Sequence, residues 1–110
     1  MAVTLLQKRD LRRGQRRLEV LADTRQRLRE ALAELIPGHR IIVFGSLTKP
    51  GIFNDRSDID LALETDPPQM DGWRLMSELM ERLDRPVDVV RLDKCRFRDK
   101  ILCQGEVWIA

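Results

Sequence analysis

Leucines recur at helical spacing along the first part of the chain. Leu11, Leu18, Leu21, Leu28, Leu32 and Leu35 fall on the a and d places of one heptad frame, which predicts a helix over about residues 3 to 36. The same frame puts Gly14 on a d place and Arg25 on an a place. Two misfits in so short a run argue against a long autonomous coiled coil. Gly14 is a candidate bend, or the junction of two helices. Pro37-Gly38 ends the segment, since neither residue continues a helix well.

The pattern then changes period. Ile41-Ile42-Val43-Phe44 is uncharged and β-branched and predicts a buried strand. Residues 45 to 57 carry Pro50, Gly51 and Asn54 and read as a loop. Asp58 to Glu64 reads as a second strand, stopped by Pro67-Pro68. Met70 to Leu83 predicts a helix with Trp73, Met76, Leu79, Met80 and Leu83 on its apolar stripe. Val87 to Val90 is a third strand opened by Pro86. Residues 94 to 104 predict a short helix that uses Phe97, Ile101 and Leu102, Gly105 caps it, and Glu106 to Ala110 is a terminal strand. Helices and strands sharing one sheet give an α/β or α+β class. The helix between strands two and three suits a crossover connection. The expected organisation is an N-terminal helical arm, residues 1–40, on a body of residues 41–110, with a mixed sheet of about four strands.

Composition narrows the class. With 43% hydrophobic and 35% charged residues in 110, the chain is too apolar and too evenly charged to be disordered. No apolar run approaches the roughly 20 residues of a membrane span. Leu5 and Leu6 meet Lys8-Arg9-Asp10 at once, so no signal peptide is expected. Cys95 and Cys103 make no disulfide framework and read as free thiols of a reducing, cytoplasmic compartment. Charge is uneven: residues 1–40 hold ten Lys/Arg and five Asp/Glu, against ten and thirteen in residues 41–110. No aromatic lies among the cations of the arm to stack on bases, so nucleic acid is not the expected partner.

Three features carry candidate chemistry. Gly45-Ser46 follows the first strand, where a glycine lets the backbone turn tightly and the serine offers a hydroxyl and an amide to a phosphate oxygen. Asp58 and Asp60 flank Ile59, and residues i and i+2 of a strand face one side. Two close carboxylates repel unless one keeps a proton or a cation intervenes. Mg²⁺ suits such a pair, taking one or two carboxylates plus substrate phosphates. Asp88 stands inside the apolar run Val87-Asp88-Val89-Val90, where a charge is costly unless paired or bound to a cation. If strands two and three are neighbours, Asp58, Asp60 and Asp88 make a three-carboxylate site for two metals, one on the triphosphate and one on an attacking hydroxyl. The plainer alternatives are a solvated strand end for Asp58 and Asp60, and pairing of Asp88 with Arg85 or Arg91.

Val43-Phe44-Gly45-Ser46, a loop, and Ser57-Asp58-Ile59-Asp60-Leu61-Ala62 together resemble the signature of the polymerase-beta-type nucleotidyltransferases, in particular their minimal branch. The resemblance covers roughly residues 41 to 110. It implies that Gly45 and Ser46 grip nucleotide phosphates, that Asp58 and Asp60 bind Mg²⁺, and that Asp88 is the third carboxylate, binding metal and helping to deprotonate the acceptor. It implies transfer of a nucleoside monophosphate from a substrate such as ATP, with pyrophosphate leaving. Many of these minimal chains are encoded beside a HEPN-domain protein and some act as antitoxins, so a HEPN toxin is the implied partner and acceptor, often through a tyrosine hydroxyl. Two departures stand out. Eleven residues, Leu47 to Ser57, separate Ser46 from Asp58 where ten are commonest, and Leu47 replaces an arginine that often follows the serine. Lys49 or Arg56 is left to supply the phosphate-facing cation. A fold-retaining antitoxin that acts by binding alone is the alternative function.

A body of about seventy residues has little surface with which to enclose a small acceptor, so a macromolecular one is expected. The chain has no tyrosine to modify on itself. Leu28, Leu32 and Leu35 are expected to pack on the sheet, and Leu11 and Leu18 to meet a partner or a second copy in a homo-oligomer.

Overall fold

A computed structural model describes residues 4–110. The chain runs α1 (Leu5–Leu35), β1 (Arg40–Phe44), a 3₁₀ turn (Gly45–Thr48), β2 (Ile59–Leu63), α2 (Gly72–Leu83), β3 (Val87–Arg91), a second 3₁₀ turn (Leu92–Lys94), α3 (Arg98–Gln104) and β4 (Glu106–Ile109). Val3, where the long helix was expected to begin, lies outside the described residues. Thr4 starts α1 with a reciprocal cap: the Gln7 amide donates to Thr4 Oγ1 (3.2 Å), and the Thr4 amide donates to Gln7 Oε1 (3.0 Å).

Gly14 is not the junction of two helices. α1 is a single 31-residue helix that continues through it. A lone glycine costs only about 1 kcal/mol, which helix on both sides offsets. The two halves of α1 differ sharply in burial. Val20, Leu21, Leu28, Ala31, Leu32 and Leu35 are buried, whereas no described residue before Val20 is.

The sheet has four strands in the order β3-β2-β1-β4. β1 is antiparallel to both neighbours, and β2 pairs parallel with β3 through the α2 crossover, as expected. Its faces are unequal. Ile41, Val43, Ile59, Leu61, Leu63 and Val87 point to one side and pack with the second half of α1 and with α2. Ile42 and Ala62 point to the other, where Leu92 and Ile101 give a much smaller apolar cover.

Three local expectations are corrected. α2 begins at Gly72, with Asp71 accepting from the Arg74 amide (2.8 Å). Its core row is Leu75, Leu79 and Leu83, while Trp73 is 78% exposed and Met80 lies at the surface. At 100° per residue the row i, i+4, i+8 forms the stripe, and Trp73 falls on the far side of it. The helix expected over residues 94–104 is a 3₁₀ turn, a break, and seven residues of α3, with only Ile101 buried and Phe97 and Leu102 exposed. The loop after β1 opens with the 3₁₀ turn rather than irregular chain. Among the described residues no helix is long and apolar enough to cross a membrane.

Candidate functional site

β1 ends where its last residue, Phe44, pairs with Asp60 of β2. The chain must then turn off the sheet beside that carboxylate, and Gly45 does so at φ +75°. A Cβ there would lie 2.4 Å from Asp60 Oδ2, so only glycine brings the backbone this close. The 3₁₀ turn follows, closed by Thr48 Oγ1 donating to the Gly45 carbonyl (2.8 Å) and by the Lys49 amide donating to the Ser46 carbonyl (3.0 Å). Ser46 is half-buried in this turn.

Asp60 and Asp88 are register partners in the parallel β2–β3 pair, so both side chains emerge on the lightly covered face of the sheet. Asp58 is one residue before β2 rather than inside it, and is exposed. Its charge still reaches Asp60, though it does not line the cleft described below. The Asp60 carboxyl is held above the ordinary carboxylate range, first by burial, then by the negative charges of Asp88 and Asp58. Neither alternative partner for Asp88 takes that role. Arg91 bridges Asp66 (3.0 Å) and Asp93 (3.3 Å), and Arg85 donates to the main-chain carbonyls of Asn54 and Ser57. Among the described residues no salt bridge reaches Asp58, Asp60 or Asp88.

A cleft of about 430 Å³ opens on this face, lined by Gly45, Lys49, Asp60 and Asp88 and by Phe97, Lys100, Ile101 and Gln104 of the α3 region. Arg56 is exposed and does not line the cleft, so of the two expected cations Lys49 is the one brought to it. Lys100 and Gln104 were not singled out by sequence reasoning. Their signal is the spacing 97, 100, 101, 104, one face of a helix, which a reading for apolar residues alone passes over. A larger hollow of about 590 Å³ adjoins the cleft through Val90, Cys95 and Phe97, but the carboxylate pair lines only the smaller one.

Among the described residues no group of three His, Cys, Asp or Glu side chains is arranged to hold a metal ion, Asp58, Asp60 and Asp88 included. The donor set is nonetheless that of Mg²⁺: oxygen ligands, few from protein, the remainder left to phosphates and water. Mutual repulsion at Asp60 is what a cation would relieve. The residues present therefore fit a metal that arrives with a nucleotide better than one held by a complete protein cage.

Residues 26–109 match the family described as Polymerase beta, Nucleotidyltransferase. No curated protein matches the chain. Among solved structures, it is similar to a chain in a crystal structure of a toxin–antitoxin with AMP-PNP, at 27% identity and a TM-score of 0.56, covering 77% of this chain and 73% of that one. It is also similar to a chain of the toxin–antitoxin MntA-HepT, at 25% identity and a TM-score of 0.52, covering 79% and 71% respectively.

Proposed function

The chain belongs to the polymerase beta nucleotidyltransferase family, and from that membership we propose that it moves a nucleoside monophosphate, AMP from ATP, onto a hydroxyl of a HEPN-domain toxin and so acts as its antitoxin. The observation that carries this reading is the register pairing of Asp60 with Asp88 beside the Gly45 turn, with no salt bridge to either carboxylate among the described residues. The similarity to chains of toxin–antitoxin structures, one of them with AMP-PNP, supports the partner and the nucleotide.

Gly45 and Ser46 bring backbone and hydroxyl to the phosphates. Lys49 and Lys100, both lining the cleft, offer point charges to the triphosphate. Asp58, Asp60 and Asp88 supply the protein's oxygen ligands. When bound, Mg²⁺ neutralises phosphate charge and lowers the pKa of the acceptor hydroxyl. That oxygen forms a bond to the α-phosphorus, the bond from the α-phosphorus to the α,β-bridging oxygen breaks, and pyrophosphate leaves. Asp88 takes the hydroxyl proton. The cleft lies on the open side of the sheet, where a macromolecular acceptor has access. Cys95 and Cys103 are free, which suits the reducing cytoplasm.

The test uses the Asp60→Asn, Asp88→Asn double variant, α-labelled ATP, Mg²⁺ and the HEPN partner. Label transfer is expected to fall to background while circular dichroism retains the folded spectrum. Transfer at the wild-type rate removes the assignment. The eleven-residue loop and Leu47 in place of an arginine after Ser46 favour a second reading, neutralisation by binding alone. In that case the double variant still suppresses the toxin's activity as well as wild type does.

A further inference from the structure

The eleven residues between Ser46 and Asp58 contain no helix or strand beyond Thr48, yet their backbone is gripped from outside by arginine. Arg25 Nη1 donates to the Leu47 carbonyl (3.2 Å), and Arg17 Nη1 to the Gly51 carbonyl (3.2 Å). Arg85 Nη1 donates to the carbonyls of Asn54 (3.1 Å) and Ser57 (2.7 Å). These recipients are main-chain carbonyls, and the segment is also held by two side chains, Asp55 by Arg16 and Phe53 beneath Arg85.

The two outer grips fall where the segment joins the chemistry. Leu47 follows Ser46, and Ser57 precedes Asp58. Both arginines are themselves held. The Arg25 guanidinium takes both Glu106 oxygens (2.7 and 3.3 Å) and lies 5.1 Å from the Trp108 ring centroid. The Arg85 guanidinium lies 4.6 Å from the ring centroid of Phe53, which is fully buried. Arg85 also stands two residues before β3, the strand that carries Asp88. One side chain thus ties the approach to Asp58 to the start of the strand bearing Asp88.

We propose, resting on the nucleotidyltransferase reading above, that Arg25 and Arg85 are positioning residues for the transfer: they clamp the two ends of the 47–57 segment by its carbonyls and so hold the Gly45–Ser46 turn and Asp58 in one geometry around the nucleotide. A planar guanidinium suits the task, because its donors are fixed in a fork. A lysine keeps the charge but loses the fork.

The experiment uses the full chain with its HEPN partner and compares Arg25→Met, Arg85→Met, Arg85→Lys and Arg29→Met. Arg29 is the control: it stacks on Trp108 at 4.2 Å and has no hydrogen bond to the 47–57 segment. Melting temperature, kcat, KM for ATP and the half-saturating Mg²⁺ concentration are measured for each. Arg25→Met and Arg85→Met are expected to lower kcat about 100-fold, the scale of a 1 Å misplacement. Arg85→Met should also raise the Mg²⁺ requirement, with Arg85→Lys restoring only part of the loss. Arg29→Met should change melting alone. Kinetics unchanged in Arg25→Met and Arg85→Met, with melting lowered as in Arg29→Met, overturn the proposal. Should Arg85→Met fail to fold, wild-type kinetics in both Arg85→Lys and Arg25→Met overturn it. A wild-type chain that transfers no label is the separate outcome that removes the nucleotidyltransferase reading and the clamp with it.

Discussion

Burial, then Asp88, then Asp58 lift the Asp60 carboxyl above its ordinary range, so the folded chain holds a proton there more tightly than the unfolded chain does. The native state then binds more protons than the unfolded state between the two pKa values. Stability falls as pH rises from the unfolded value through the raised one. Asp60→Asn is therefore expected to raise the melting temperature at pH 7, with the gain vanishing below the unfolded aspartate value of about 3.9. Circular dichroism melts at both pH values measure this, and a variant that melts lower than wild type at pH 7 contradicts it. The acidic pair was legible in the sequence, because a charged residue within an apolar run must have a purpose or a partner. Lys100 was not, because a lysine on a short, mostly exposed helix looks like any solvated cation until the fold turns it toward the cleft.

α1 is one helix by hydrogen bonding and two by environment. Its second half lies in the core, and its first half overhangs the body, where among the described residues its side-chain hydrogen bonds to the body run from Arg16 to Asp55 (3.4 Å) and from Arg17 to the Gly51 carbonyl. Leu28→Ala or Leu32→Ala is expected to cost about 2–5 kcal/mol. Leu11→Ala or Leu18→Ala should stay within about 0.5 kcal/mol in the isolated chain. Urea unfolding monitored by Trp108 fluorescence separates the two classes, and equal losses would place the first half of α1 in the core as well. The heptad frame located this helix but could not divide it, since leucine spacing is the same on a buried face and an overhanging one. Arg25 interrupts the frame for a reason the pattern hides: it leaves the leucine row to pair with Glu106, whose carboxyl it holds below the ordinary range. With side chains about a third exposed, that pair contributes about 1 kcal/mol at most. Its contribution is present above the unfolded glutamate pKa and is lost as pH falls through the lowered one.

For the molecule as a whole, a crossover between β2 and β3 was legible, because a helix between two short strands is the connection a parallel pair requires, whereas the strand order β3-β2-β1-β4 was not. The unequal cover of the sheet did not follow. Phe97 and Leu102 looked like core residues of a longer helix, and only the shortness of α3 leaves them outside and the carboxylate face open. That openness makes nucleotide binding directly measurable. Mg²⁺-ATP at 100 times its dissociation constant is expected to stabilise the chain by about 2.7 kcal/mol, read as a rise in melting temperature. The Asp60→Asn, Asp88→Asn variant should show no such rise, and an equal rise in that variant would place the nucleotide elsewhere.

The β2–β3 seam has a temporal consequence. Asp60 and Asp88 stand opposite each other only after the intervening chain has passed through α2 and laid β3 back alongside its neighbour. A chain emerging from the ribosome exposes the glycine turn and its first carboxylates early, but gains the opposing one last. The facing carboxylates are in this way assembled only once the crossover is complete, and the cleft around them only once α3 has followed.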